Sequence, residues 1–271
     1  MQRVRTIDAL RSVVSAWRSE GLRVGFVPTM GFLHDGHLSL MRVALQQCDR
    51  LVVSIYVNPL QFGPNEDLDS YPRDAEGDAA KCAAQQVDLL FLPEDLYAEG
   101  HATSVSVSGL TERLCGASRP GHFEGVTTVV ARLFGLVQPH VAVFGEKDYQ
   151  QLAVIRRMTR DLSLNVDVVG APLIRDHDGL ALSSRNAYLS SEERERALSL
   201  HRALRAMAES GERNVSRLLE IGRAELNVDS LDYLEVLDAE GLEDLEVVDR
   251  PARAFVAARI GRTRLIDNWA L

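Results

Sequence analysis

Two histidines lie three residues apart in PTMGFLHDGH, residues 28–37. An apolar run precedes this stretch and a segment with helical spacing follows it, so His34 and His37 fall at the seam between two elements. Three interpretations are open: polar loop residues, two metal ligands, or donors to an anion at a helix N-terminus. The sequence has no H-E-x-x-H motif and no third ligand spaced nearby, which disfavours the metal. Gly31 and Gly36 would let the backbone approach a ligand, and a helix beginning near His37 would direct free N–H groups at it. We therefore favour a phosphate site.

Further groups suited to phosphate chemistry occur in two later stretches. FGEKD contains Lys147, and GLALSSRN contains Ser183, Ser184 and Arg185. Taken singly, each of these side chains is typical of an ordinary surface. Together they supply the hydroxyl and cationic donors that phosphoryl and nucleotidyl transfer require, because catalysis there consists mostly of positioning and charge neutralisation. The chain has no G-x-x-x-x-G-K-[ST] motif, so a nucleotide here would not be held by a P-loop.

The elements that must position these groups alternate between strand-like and helix-like patterns. LRVGFVPT, RLVVSIYVNP, VDLLFLP, HVAVFG and VDVVGAP are apolar runs rich in β-branched residues, with helical segments between them. This alternation predicts an α/β fold with a doubly wound parallel sheet, whose ligands bind at the carboxyl ends of the strands. PTMG, VNPLQFG and FGEKD would then converge on one edge. Gln61 and Gln151 are the amides there, able to read hydroxyl and carboxylate groups.

From about residue 176 the pattern changes. SSEERERALSLHRALRAMAESG, residues 190–211, has the pattern of an amphipathic helix, and Ser190 with Glu193 three residues later is a capping-box signature for its start. A shorter helix and three strand candidates follow: SLDYLEVLD, RAFVAARIG and TRLIDNWAL. The sequence therefore predicts a larger domain over 1–175 and a small α+β domain over 176–271.

Composition limits the possible partners. The formal net charge is −9, from 39 acidic and 30 basic residues, which disfavours a nucleic-acid-binding protein. Cys48, Cys82 and Cys115 are odd in number and far apart, as expected of core thiols in a reducing compartment. No apolar stretch reaches the ~18 residues that a membrane span needs, and Asp8 and Arg11 interrupt the early apolar pattern that a signal peptide would need. We expect a cytoplasmic protein without nucleic-acid or membrane partners.

The successive motifs resemble those of one family over nearly the whole chain. PTMGFLHDGHLSL, VSIYVNPLQFGPNEDLDSYPR, RPGHFEGV, VFGEKDYQQL and DGLALSSRN look like the signatures of the pantoate–β-alanine ligases, in the family's order and spacing. The resemblance implies a Rossmann-like domain with a smaller C-terminal lid domain and a homodimer. It also implies a reaction of ATP, with Mg²⁺, and (R)-pantoate to give pantoyl adenylate and diphosphate. β-Alanine then displaces AMP to form pantothenate.

The resemblance also implies roles for individual residues. His37, His34, Lys147 and Arg185 would be catalytic. The ATP-binding residues would be Pro28, Thr29, Met30, Gly31, Phe32, Leu33, His34, Asp35, Gly36, His37, Gly145, Glu146, Lys147, Asp148, Ile174, Leu182, Ser183, Ser184 and Arg185. Pantoate and β-alanine would contact Gln61, Gln151, Val129 and Val130, with Asn58 and Tyr71 near the same cleft. No residue is predicted as a metal ligand.

Three other functions remain open. A related H-x-G-H nucleotidyltransferase would keep the nucleotide in its product. An aminoacyl-tRNA synthetase is disfavoured by the acidic charge and by a C-terminal part too small for a convincing anticodon domain. A nucleotide-binding sensor would show no turnover.

Overall fold

The computed structural model describes residues 1–64 and 66–271, which form two β-sheets with helices around them. The strands of the first sheet are β1 (Gln2–Val4), β2 (Val24–Thr29), β3 (Arg50–Ile55), β4 (Leu89–Phe91), β5 (Val141–Gly145) and β6 (Asp167–Ala171). The helices are α1 (Ile7–Ser19), α2 (Asp35–Leu45), α3 (Ala75–Ala84), α4 (Cys115–Ser118), α5 (His122–Val137), α6 (Tyr149–Asp161), α7 (Ser191–Glu209) and α8 (Val215–Glu225). The second sheet contains β7 (Ser230–Asp238), β8 (Ala252–Ile260) and β9 (Thr263–Ala270).

The first sheet is parallel, with the order β1-β4-β3-β2-β5-β6. Its central strands alternate between two cores because successive side chains of a strand point to opposite faces. Phe26 and Val52 pack in the core that α1, α5 and α6 cover, whereas Val27 and Val53 pack in the core that α2 and α3 cover. Burial on both faces explains the continuous apolar runs, and the predicted α/β fold is confirmed.

The strand order places the three polar stretches side by side. PTMG follows β2, VNPLQFG follows β3 and FGEKD follows β5, and these three strands are neighbours in the sheet. The chain winds outward in opposite directions from β2 and from β5. The carboxyl ends of β2 and β5 therefore flank the topological switch point, where open α/β sheets bind their ligands.

The second sheet is antiparallel, in the order β7-β8-β9, and α7 and α8 pack against it. The predicted capping box is present: the backbone N–H of Ser190 donates to Oε2 of Glu193 at 2.8 Å, and that of Glu193 donates to Oγ of Ser190 at 3.2 Å. The division after residue 175 stays a prediction. It falls within a turn in which Leu182 N–H donates to the Ile174 carbonyl at 3.0 Å.

The three cysteines are free thiols, with Cys82 and Cys115 buried. Burial raises the pKa of Cys48 to about 11 and that of Cys82 to about 12, so both thiols stay protonated at neutral pH. Across residues 1–64 and 66–271, no helix combines the length and apolarity required to traverse a lipid bilayer.

Candidate active site

A buried carboxylate shapes the loop between β2 and α2. Asp78 of α3 accepts hydrogen bonds from the backbone N–H groups of Phe32 and Leu33, both at 2.7 Å. Lys81, one turn later, donates to the Leu33 carbonyl at 2.7 Å. Gly31 has φ +87°, and a Cβ there would lie 2.9 Å from Cγ2 of Ile55. Only glycine fits this close approach without strain, and the hydrogen bonds with Asp78 and Lys81 hold the loop that it permits.

The two histidines cap helix α2, which begins at Asp35, two residues before the predicted start. Nδ1 of His34 accepts from the Gly36 N–H at 3.1 Å, and Nδ1 of His37 accepts from the His34 N–H at 3.3 Å. The ring centroids are 4.1 Å apart. A neutral imidazole carries its proton on the nitrogen that does not accept. Both rings therefore hold the proton on Nε2, where it can be donated to a ligand.

The same surroundings keep both rings neutral. Burial lowers the pKa of His34 to about 4, with a further contribution from the charge of Lys147. Burial also lowers the pKa of His37 to about 3, assisted by His34 and Lys147. At neutral pH the pair is a set of preorganised neutral donors rather than two imidazolium ions.

Lys147 lies in a 3₁₀ turn, Glu146–Asp148, directly after β5. Asn268 of β9 fixes this turn, because its Nδ2 donates to the carbonyls of Glu146 and Lys147 at 2.9 and 2.8 Å. Nζ of Lys147 lies 3.6 Å from a carboxylate oxygen of Asp148. The C-terminal sheet thus orients a cationic side chain that follows a strand of the other sheet.

The serine stretch reaches the same loop from the other side. Oγ of Ser184 donates to the Phe32 carbonyl at 3.3 Å, and the Arg185 N–H donates to Oγ of Ser183 at 3.3 Å. The guanidinium of Arg185 forms a two-point ion pair with Asp67. Although burial opposes the charge, the hydrogen bonds with Asp67 raise the pKa of Arg185, which stays protonated.

These groups line one cavity of about 240 Å³, called the inner cavity here. Predicted residues in its lining are Pro28, Thr29, Met30, His34, Gly36, His37, Asn58, Gln61, Tyr71, Val129, Val130, Gly145, Lys147, Asp148, Gln151, Ile174, Leu182, Ser183, Ser184 and Arg185. A wider space of about 780 Å³, the outer cavity, adjoins it between the two sheets. Lys147, Gln151 and Arg185 line both. The structure therefore brings His37 and Arg185 to one shared cavity.

Five residues predicted to contact ATP lie outside that lining: Gly31, Phe32, Leu33, Asp35 and Glu146. Leu33 is buried in the core beside α2 and α3, and Asp35 is exposed in the first turn of α2. Glu146 pairs with Arg253 of β8, its Oε2 3.3 Å from Nη2. The structure therefore does not place these five residues in the lining of the inner cavity.

Arg119 and His122 of RPGHFEGV also line the inner cavity, although neither was predicted as a site residue. Nε and Nη2 of Arg119 lie 2.7 and 2.6 Å from the carboxylate of Glu66, and Nη1 lies 2.9 Å from Nε2 of His122. Nδ1 of His122 donates to the Gln61 carbonyl at 2.9 Å. Burial and the charge of Arg119 lower the pKa of His122 to about 4. The sequence feature that could have indicated these two residues is a histidine three residues after an arginine, in a stretch with two glycines.

Comparison with known proteins identifies the family of this chain. The family model described as pantoate-beta-alanine ligase matches residues 2–270. The chain belongs to the pantoate–β-alanine ligase family. A pantothenate synthetase from Paramagnetospirillum magneticum is 53% identical over 98% of this chain and 96% of its own length. One from Rhodospirillum rubrum is 52% identical over 97% of this chain and 96% of its own length.

Solved structures of family members share the fold. The crystal structure of pantothenate synthetase from Thermus thermophilus superposes with a TM-score of 0.94, at 50% identity over 99% of both chains. A pantoate-beta-alanine ligase from Francisella tularensis, complexed with beta-gamma ATP and β-alanine, gives 0.84 at 34% identity over 99% of this chain and 97% of that one. The fold of these family members thus extends over nearly the whole of this chain.

Proposed function

We propose that the inner cavity binds ATP and pantoate and forms pantoyl adenylate, which then reacts with β-alanine to give pantothenate and AMP. The main support for this proposal is the set of hydrogen-bond donors in the inner cavity. Two neutral imidazoles, whose Nδ1 atoms are occupied by backbone N–H groups, share a cavity with Lys147 and Arg185. That donor set suits a triphosphate and the charge that develops during its cleavage.

In the first step, a carboxylate oxygen of pantoate attacks the α-phosphorus of ATP. The bond from the α-phosphorus to the oxygen bridging the β-phosphorus breaks, and the electron pair leaves with diphosphate. A carboxylate and a phosphate are both anionic, so their repulsion must be cancelled. We assign His37, and after it His34, to stabilise charge on the α-phosphate by donation from Nε2. Lys147 and Arg185 neutralise the departing diphosphate.

The part of the inner cavity assigned to pantoate combines amides with an apolar wall. Gln61 is buried after β3 and Gln151 lies in the first turn of α6. Val129 and Val130 of α5 line the same space, with Val126 and Leu133 one turn away on either side. Branched aliphatic side chains suit the gem-dimethyl group of pantoate, and the amides can bind its oxygens.

In the second step, the amine of β-alanine attacks the acyl carbon of the adenylate. The acyl–oxygen bond breaks, AMP leaves with the electron pair, and the new amide nitrogen loses a proton to solvent. The outer cavity adjoins the inner cavity at Lys147 and Gln151, which line both, and we assign the approach of β-alanine to this side. The Francisella relative complexed with beta-gamma ATP and β-alanine supports the same pair of substrates here.

Mg²⁺ is proposed to enter with the triphosphate. No group of three His, Cys, Asp or Glu side chains suited to a metal occurs among residues 1–64 and 66–271. Within DAEGDAAK, Asp78 already binds two backbone N–H groups, and Asp74 accepts from the Gly77 N–H at 3.0 Å. Mg²⁺ commonly keeps several waters and binds substrate phosphates, so this donor set fits a cation carried by ATP without a protein cage.

A homodimer and a cytoplasmic location are also proposed. Both rest on the family resemblance, and the free thiols are compatible with a reducing compartment. Sedimentation of the purified protein at micromolar concentration tests the dimer: a single species of about twice 30.0 kDa is expected.

The decisive experiment is exchange of labelled diphosphate into ATP. Exchange that requires pantoate, and free AMP that accumulates only when β-alanine is added, is the expected result. A nucleotidyltransferase would retain the nucleotide in its product, and a sensor would show no exchange. Exchange that is independent of pantoate would overturn the proposal.

A further inference from the structure

Three polar side chains form a hydrogen-bonded series that ends in the inner cavity. The hydroxyl of Tyr97, in the loop after β4, donates to Oδ1 of Asn58 at 2.9 Å. Nδ2 of Asn58 donates to Oε1 of Gln61 at 3.1 Å. Asn58 is 1% exposed and Gln61 is 9% exposed, so water cannot readily replace these partners. Tyr97 itself is not among the residues that line the inner cavity.

Two backbone groups fix which way the Asn58 amide points. The Gly125 carbonyl, 3.0 Å from Nδ2, can only accept a hydrogen bond, and the Leu60 N–H, 3.3 Å from Oδ1, can only donate one. The reversed amide would place two acceptors together at Gly125 and two donors together at Leu60. The oxygen of Asn58 must therefore face Tyr97, and the nitrogen must face Gln61.

This orientation determines what Gln61 offers to a ligand. Its Oε1 accepts from Asn58, so its Nε2 is the end left for the cavity. Nε2 contacts Sδ of Met30 at 3.2 Å, and a thioether is only a weak acceptor. Gln61 is consequently presented as a hydrogen-bond donor, which selects an acceptor oxygen of the substrate.

We propose that Tyr97 is a positioning residue: through Asn58 it holds the Gln61 amide with Nε2 towards pantoate and so sets recognition of a pantoate oxygen. The assignment rests on the proposed function, since it deepens the role given to Gln61. Tyr97 provides the shorter of the two hydrogen bonds to Oδ1 of Asn58. If the Tyr97 hydroxyl is removed, Oδ1 of Asn58 keeps only the 3.3 Å hydrogen bond from the Leu60 N–H. Asn58 then rotates more freely, and Gln61 loses the partner that keeps Oε1 away from the ligand.

Burial raises the pKa of Tyr97, with Tyr56 adding to the effect, so the hydroxyl remains a donor over the working pH range. The ring also packs edge-on against Tyr56, with centroids 6.2 Å apart, and lies beneath the Arg132 guanidinium at 5.9 Å. Phenylalanine preserves both of these ring contacts. Tyr97→Phe therefore removes the hydrogen bond while the packing stays in place.

The test compares Tyr97→Phe with Tyr149→Phe, which removes a hydroxyl-to-carbonyl hydrogen bond of equal length, 2.9 Å to Ala239, outside the series. For Tyr97→Phe we expect KM for pantoate to rise roughly 5- to 30-fold while KM for ATP stays within about twofold. Tyr149→Phe should change neither KM by more than about twofold. An unchanged pantoate KM in Tyr97→Phe would overturn the proposal, as would an equal rise in both KM values.

A double-mutant cycle with Gln61→Ala tests whether Tyr97→Phe affects pantoate binding through Gln61. If Tyr97 acts through Gln61, adding Tyr97→Phe to Gln61→Ala should change kcat/KM for pantoate by less than about twofold. A full additional 5- to 30-fold loss would mean that Tyr97 acts elsewhere. The unmodified protein is measured in the same diphosphate-exchange assay. Absence of pantoate-dependent exchange there counts against the proposed function, whereas a difference confined to the variants concerns Tyr97 alone.

Discussion

Arg185 and Asp67 form a two-point ion pair where the inner and outer cavities adjoin, with Nε 3.0 Å from Oδ2 and Nη2 2.7 Å from Oδ1. Both side chains are about three-quarters buried. A guanidinium presents its donors in a planar fork that an ammonium group cannot reproduce. The carboxylate engages Nε and Nη2 and thus orients Arg185, so Nη1 is the part of the guanidinium that we propose for diphosphate.

Arg185→Ala should lower the rate of adenylate formation by ~10²–10³-fold, because one preorganised cationic donor is lost from the transition state. Arg185→Lys should lie between this variant and the unmodified protein, since it keeps the charge and loses the fork. Pantoate-dependent diphosphate exchange measures the effect. Arg205→Ala is the control, because Arg205 pairs with Glu209 on the exposed face of α7. If the Arg185 and Arg205 variants had equal activity, Arg185 would have no role in adenylate formation.

His37→Ala and Lys147→Ala should each abolish most adenylate formation, with losses of ~10²–10³-fold, and leave the circular dichroism spectrum unchanged. His37→Ala removes the donor that we propose for the α-phosphate, and Lys147→Ala removes the charge that we propose for diphosphate. His177, whose side chain is 88% exposed, provides a matched histidine control, and His177→Ala should retain full activity. Near-normal turnover in the His37 or Lys147 variant contradicts the assigned roles.

Asp78→Asn should weaken both stability and adenylate formation. The carboxylate accepts from the N–H groups of Phe32 and Leu33, and an amide can accept from only one of them while its nitrogen opposes the other. We expect the free energy of unfolding to fall by about 2–4 kcal/mol, as measured by urea denaturation. Asp74→Asn is the control on the same helix, because asparagine caps a helix as well as aspartate does. A stable, active Asp78→Asn would show that the loop does not need this anchor.

Strand β2 could be predicted from the sequence, whereas the role of Asp78 could not. Buried strands and amphipathic helices leave a local periodic pattern, so β2, β3 and β5 and the convergence of their loops were predictable. Asp78 binds backbone N–H groups 45 and 46 residues away, and backbone donors leave no trace in side-chain patterns. The short edge strand β1 was missed for a related reason, since three residues carry too little periodicity.

The ion pairs of Glu66 and Asp67 could not be predicted from the sequence either. Two adjacent acids in a loop suggest a solvated surface, yet Glu66 binds Arg119 and Asp67 binds Arg185, from different parts of the fold. His34 and His37 could be selected as candidates from the sequence because two histidines three residues apart at a predicted helix start form a local pattern. The tautomer that makes them donors through Nε2 required the positions of the Gly36 and His34 N–H groups.

Gln150 and Gln151 are adjacent on α6 and should respond differently to replacement. Gln150 is buried, accepts from the Cys115 N–H and donates to the Leu110 and Arg113 carbonyls. Gln150→Ala should therefore lower the free energy of unfolding by about 2–3 kcal/mol. Gln151 lines both cavities, so Gln151→Ala should raise KM for pantoate roughly tenfold or more, with little change in the unfolding midpoint. Exchanged phenotypes, with Gln150 controlling pantoate binding, would reverse the assignment.

Acidification should destabilise the protein through its neutral histidines. Burial lowers the pKa values of His34 and His122 to about 4 and that of His37 to about 3, whereas unfolded histidine titrates near 6.5. Between those values the unfolded chain binds more protons than the folded one, so stability is complete above pH ~6.5 and falls as the pH drops towards 4. Urea unfolding at pH 7 and pH 5 should show this loss.

His122→Gln isolates one of these contributions. The amide can still donate to the Gln61 carbonyl and accept from Arg119, but it does not take up a proton. At pH 7 the variant should be slightly less stable than the unmodified protein because the ring fits its partners better. Between pH 7 and pH 5 it should lose less stability, by on the order of 1–2 kcal/mol. A pH dependence identical in the two proteins would mean that His122 is not held neutral in the fold. Its bonds to Gln61 and Arg119 would then have to involve the charged ring, which has no acceptor for the Arg119 guanidinium.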